Sequence, residues 1–263
     1  MDWRTVSVAL AVVLAGCGAL GGASGPSGDR AGETPTLSPV PVPEVTTAPP
    51  TLPPGLAGAN VTDANALVDA HLAAIQGRSY TLTVRVRVDD ERSERRFRVE
   101  TPTRYYRVDR LADPRSDTAQ FADGNSLYTR TEYGDSVEFG RYDDPSPPRS
   151  QTVMLSRAFL QVDSVRVAET RVEGDVAYEL TGSYDTHPAI ESFRNVSLRA
   201  VVEPTGLIRT LNISYYRAND GSKVTRSFAY SDLDSTTVER PAWVDAQWNG
   251  ATPESVRLPT NPQ

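Results

Sequence analysis

One thiol and two imidazoles are the side chains of this sequence best suited to chemistry, and their surroundings limit what they can do. Cys17 is the single cysteine, so no intramolecular disulfide can form and no zinc site built on thiolates exists. It follows an apolar run over residues 6–14 and two small residues, Ala15 and Gly16. His71 falls near the apolar side of an expected helix, where packing explains it better than ligation. His187 stands in a Thr-His-Pro stretch two residues after Asp185, an arrangement open to acid–base work but better read as a solvated loop histidine. The pairs Asp89-Asp90 and Asp143-Asp144 lack the ligand spacing of a dedicated calcium loop. No H-E-x-x-H, G-x-S-x-G or phosphate-cradling glycine motif occurs. The reading is therefore a non-enzyme with no catalytic residue, no metal and no cofactor. Three sequons, at Asn60, Asn195 and Asn212, are candidate N-glycosylation sites in an exported chain.

The run before Cys17 is about nine residues, against the roughly 20 that span a bilayer core. It suits the core of a signal peptide with small residues at its cleavage site. The string Leu14-Ala15-Gly16-Cys17 resembles the lipobox of prokaryotic lipoproteins. That resemblance implies a signal peptide over 1–16, a lipid on Cys17, and a chain held on the outer face of the cell membrane. There is no twin-arginine pair, and Asp2 offsets Arg4, a weaker leader charge than the pattern usually carries.

Residues 17–60 form the lipidated N-terminus and a stalk. Its proline-dense tract over 34–55 cannot bury enough apolar surface to offset the entropy of ordering it. A semi-extended spacer is expected. Formal net charge is -7, which argues against a nucleic-acid partner. Lys223 is the only lysine, a composition that suits a GC-rich genome of a salt-loving organism.

A domain over 61–245 and a flexible tail over 246–263 complete the chain. Thr62 or Asp63 can cap a helix running to Gln76, with Gly77 at its stop and Leu67, Val68, Leu72 and Ile75 as its apolar stripe. From Tyr80 to Val88 apolar residues alternate with Thr and Arg, the period of a strand wetted on one side. Residues 89–94 read as a polar turn. Shorter alternating runs follow at 97–99, 105–109, 117–122, 126–132 and 137–142. A second helix is expected over 151–162, with Met154, Leu155, Ala158 and Phe159 on its apolar side. Runs at 164–172, 176–184, 196–202, 207–217 and 223–231 close the pattern. The expected fold is mainly β with two helices (α+β): a curled antiparallel sheet, a half-barrel of about ten or eleven strands, with the helices on its concave face.

The order of elements resembles the half-barrel lipoprotein carriers, namely the periplasmic lipoprotein-sorting proteins and the related mycobacterial lipid-carrying lipoproteins. The phrase Phe121-Ala122-Asp123-Gly124-Asn125-Ser126-Leu127-Tyr128 and the closing stretch Phe228-Ala229-Tyr230-Ser231-Asp232-Leu233 carry the likeness. The chain as a whole is similar to uncharacterised cell-surface lipoproteins of halophilic archaea. The resemblance implies a hydrophobic cavity between sheet and helices. Candidate lining residues are Leu82, Val84, Phe97, Tyr178, Leu180, Leu198, Ile213 and Phe228, which would equally fill a closed core. The expected function is non-catalytic binding of a lipid or other apolar ligand. The alternative is a structural or protein-interaction module that engages a cell-surface protein.

Overall fold

The computed structural model describes residues 52–111, 116–143, 145, 151–161, 165–187 and 190–248. The chain divides into two units, 1–47 and 48–263. The first lies wholly outside the described residues, as do Leu14, Ala15, Gly16 and Cys17, the stalk up to Thr51, and the tail beyond Trp248.

Among the described residues thirteen strands make one antiparallel sheet, and its order follows from two meanders joined end to end. A short hairpin, β1 (Leu56–Ala57) and β2 (Asn60–Val61), precedes helix α1 (Ala64–Ile75). The first meander is β3 (Tyr80–Val88), β4 (Glu91–Thr101), β5 (Arg104–Arg110), β6 (Ser116–Asp123), β7 (Ser126–Tyr133) and β8 (Ser136–Asp143). Helix α2 (Gln151–Leu160) leads into the second: β9 (Arg166–Val172), β10 (Asp175–His187), β11 (Ile190–Val202), β12 (Ile208–Arg217) and β13 (Lys223–Ser231). Helix α3 (Ala242–Trp248) ends the described chain. β9 pairs with β2, and β13 pairs with β3, Phe228 lying opposite Val84. The order is therefore β1-β2-β9-β10-β11-β12-β13-β3-β4-β5-β6-β7-β8. β1 and β8 are its free edges, so the sheet is open.

The expected ten or eleven strands fall short of the thirteen among the described residues: the expected runs appear as β3–β13, and the short β1 and β2 were not foreseen. The expected turn over 89–94 is shorter than the sequence suggested: β4 begins at Glu91. Its charged residues sit comfortably in a strand because each face offers partners. Arg85 meets Glu94 at 2.8 Å on one side and Arg95 meets Asp109 at 2.8 Å on the other.

The register separates two faces, since side chains alternate along each strand. On the inner face Tyr80, Val99, Tyr105 and Ala122 align across β3–β6. They join Leu67 of α1 and Phe159 and Leu160 of α2 in the main core. On the outer face Arg98, Tyr106, Phe121 and Tyr128 align across β4–β7. There Phe121 and Tyr128 pack with Val238 and with Val244 of α3 in a second, smaller core. The expectation of two helices on one face is thus corrected: the described residues hold three, and α3 covers the opposite face. The segment leading to it is pinned by Arg98 Nη2 donating to the Thr237 carbonyl (2.8 Å) and by the Val238 N–H donating to Glu100 (2.9 Å).

Candidate functional site

α1 starts where the sequence says it should. The Asp63 side chain accepts from the N–H groups of Asn65 and Ala66 at 2.9 and 3.0 Å, satisfying two of the four orphan donors of a helix start. Gly77, with φ +74°, takes the left-handed conformation beyond the helix end that glycine tolerates best. The stripe, however, is rotated. Ala64, Leu67, Val68 and His71 are buried, whereas Leu72 is 38% exposed.

His71 finds polar partners on the buried side. Its Nδ1 accepts from the Ile208 N–H at 3.2 Å, so the neutral ring carries its proton on Nε2. That proton faces Tyr230 Oη at 3.4 Å, and the Tyr230 hydroxyl is left to donate to Thr152 Oγ1 at 3.3 Å. One imidazole therefore ties α1 to β12, β13 and α2. Burial lowers the His71 pKa to about 4, because a charged ring there would lose its hydration. The same burial raises the Tyr230 phenol.

His187 is not a solvated loop residue. It ends β10, is 1% exposed, and its Nε2–H donates to the Ala158 carbonyl at 2.8 Å. Its ring meets Phe159 edge-on at 5.1 Å between centroids, within a cluster that includes Tyr184 and Phe193. β10 and β11 run on to His187 and Ile190 as a long hairpin, so the expected loop between 184 and 196 is mostly strand. Asp185 is exposed, on the other side of a register shift at Thr186–His187. Asp89 holds a turn: its carboxylate accepts from the Lys223 N–H at 2.9 Å. Among the described residues no group of three or more His, Cys, Asp or Glu side chains is placed to hold a metal ion.

The eight candidate cavity residues all belong to the main core. Leu82, Val84, Phe97, Tyr178, Leu180, Leu198, Ile213 and Phe228 are each buried and share it with Leu67 and Phe159. An open groove of ≈ 450 Å³ lies at the margin of that core, between the C-terminal half of α1 and β3–β4. Leu72, Ala73, Ile75, Tyr80, Val99 and Pro102 line it. The charges at its rim are engaged elsewhere: Arg78 pairs with Asp234 at 2.7 Å and Asp69 with Arg157 at 3.3 Å. Sequence reasoning missed the groove because it forms only where α1 stops short of the sheet. The stop at Gly77 and the proline at 102 were its only signals.

Of the sequons, Asn195 and Asn212 present exposed side chains, the latter outward from β12. Asn60 is half-buried and its amide oxygen accepts from Arg166.

No family model matches the chain, and no curated protein matches it. A solved structure of a LolA superfamily protein from Nitrosomonas europaea aligns with 72% of this chain and 97% of its own, at 10% identity and a TM-score of 0.22. It is a weak structural neighbour. A TM-score that low carries neither fold nor function across.

Proposed function

We propose that this chain is an exported lipoprotein, anchored on the outer face of the cell membrane through a lipid on Cys17, whose folded domain holds an apolar ligand without catalysis. The observation that supports ligand holding is the groove beside α1. Its volume falls within the few hundred cubic ångströms of small-molecule sites, and its walls are mostly apolar. Hydrocarbon entering it would cover Leu72 and Ile75 and meet Tyr80 and Val99. At roughly 25 cal/mol per Å² of apolar surface, that burial favours retention. No charged group without a partner lines it that would oppose hydrocarbon. Both imidazoles are committed to structural hydrogen bonds, which supports a non-catalytic reading.

The test is mass spectrometry of protein purified from its host under native conditions. Co-purifying lipid is expected with the unaltered chain and should be depleted in Ala73→Trp, which fills the groove from an exposed helix position. Equal lipid in both, or none in either, would overturn ligand holding.

A further inference from the structure

We infer that the outer face of β3–β5 is a docking surface for a bilayer rich in anionic, phosphate-bearing lipid headgroups. The register gathers Arg85 and Arg87 of β3, Arg92, Arg96 and Arg98 of β4, and Arg110 of β5 on that one face. All six are exposed. Glu94 is the one carboxylate among them, and Arg85 takes it at 2.8 Å. Glu100, at the far end, is taken by Arg104 at 3.0 Å. Arg87 pairs with Asp90 of the turn at 3.2 Å. Arg98 bonds only to a carbonyl. Arg92, Arg96 and Arg110 meet no carboxylate among the described residues. Four guanidinium charges thus stand unneutralised on one face of a chain whose net charge is -7.

The face is shaped as well as charged. Two shallow grooves meet at Glu94 and Arg110. One, of ≈ 210 Å³, runs over Arg96, Arg98, Tyr106 and Val108. The other, of ≈ 380 Å³, runs over Arg85, Arg87 and Arg92 beside the hydroxyls of Thr225 and Ser227. Three strands at about 4.8 Å spacing make the array roughly 10 Å wide, and six residues of strand make it roughly 20 Å long. Such a sheet of charge meets several phosphates at once. Each guanidinium can grip one with a two-pronged hydrogen bond. Tyr106, between the arginines, is partly buried and packs against the second core, so the arginines make the contact. The choice of a bilayer over another polyanion rests on the proposed tether, which keeps the domain beside such a surface.

The test uses the full chain with Cys17→Ser, so that no lipid contributes. Flotation with vesicles containing phosphatidylglycerol is compared with flotation on pure phosphatidylcholine, which registers whatever the apolar leader adds. Binding should favour the anionic vesicles and fall about tenfold at high salt, and by as much in the triple variant Arg92→Gln, Arg96→Gln, Arg110→Gln. The corresponding triple Arg→Lys variant keeps the charge and should keep most of the preference, which separates loss of docking from loss of folding. Equal flotation on both vesicles, or a triple Gln variant that floats as well as the parent, would overturn the inference. So would binding to soluble polyphosphate with none to vesicles, which would assign the face to a polyanion instead. Because the tested chain carries no lipid, each of these failures leaves the anchoring proposal to its own test.

Discussion

A single imidazole makes the domain's stability depend on pH in a direction that can be worked out. In the unfolded chain His71 titrates near 6.5; in the fold burial holds it near 4. Its folded pKa is depressed, so below pH 6.5 the unfolded chain binds the extra proton and the fold does not. The stability tied to neutral His71 is complete above pH 6.5 and is lost as pH falls towards 4. At about 1.4 kcal/mol per unit the loss is on the order of 3 kcal/mol. Carboxylates titrate in the lower part of the same window, so the comparison must be internal. Urea midpoints of the parent should fall more steeply between pH 7 and pH 4.5 than those of His71→Gln, whose side-chain oxygen can still accept from Ile208. Parallel slopes would show that the ring is not the titrating group. A second residue-scale expectation concerns Asp109, whose carboxylate accepts from Arg95 and Arg107 on the inner face, each Nε at 2.8 Å. Asp109→Ala leaves the half-buried Arg95 without its carboxylate and Arg107 with only the Gln120 amide oxygen at 3.4 Å. Chemical denaturation should show a loss of about 2 kcal/mol.

Among the elements, α2 separates what the sequence displays from what packing selects. Apolar spacing puts Met154 and Leu155 on the buried side, yet Met154 is 77% exposed while Thr152 and Ser156 are fully buried. The helix turns Thr152, Ser156, Phe159 and Leu160 inward, a spacing of four, three and one. Thr152 thereby reaches Tyr230, and Phe159 stacks on Phe193 and Tyr215 at 6.0 Å. Hydropathy has no means of seeing a hydroxyl that is welcome in the core because a phenol waits for it. The same helix supplies a test. Met154→Glu should change stability by no more than about 0.5 kcal/mol, whereas Phe159→Ala should cost about 3–5 kcal/mol. A reversal of that order in thermal or urea unfolding would place the other side of α2 inward. β3 was legible end to end because its alternation is strict and one face is wholly apolar. Most of β4, the end of β10 and the first half of β11 were not, since polar residues outnumber apolar ones there and no two-residue period of hydropathy shows. The two-residue strands β1 and β2 and the seven-residue α3 are too short to show a period. The groove beside α1 belongs to no element's sequence; it arises where three of them fail to meet.

At the scale of the molecule, the two meanders place β1 at one edge of the sheet and β8 at the other. The described chain begins at residue 52, just before β1. The proposed lipid on Cys17 would carry the attachment: at about 0.8 kcal/mol per buried CH₂, one acyl chain binds reversibly and two hold firmly. An arginine face screened by salt within about 10 Å at moderate ionic strength cannot imitate that. Salt and detergent therefore distinguish the two contacts in one experiment. The unaltered chain in native membranes should resist a high-salt wash and come away only in detergent. Cys17→Ser should lose resistance to high salt while keeping part of its low-salt association through β3–β5. Should Cys17→Ser stay with the membrane through the high-salt wash, the lipid on Cys17 is not the anchor. An N-terminal mass with residues 1–16 still present on the unaltered chain would say the same by an independent route.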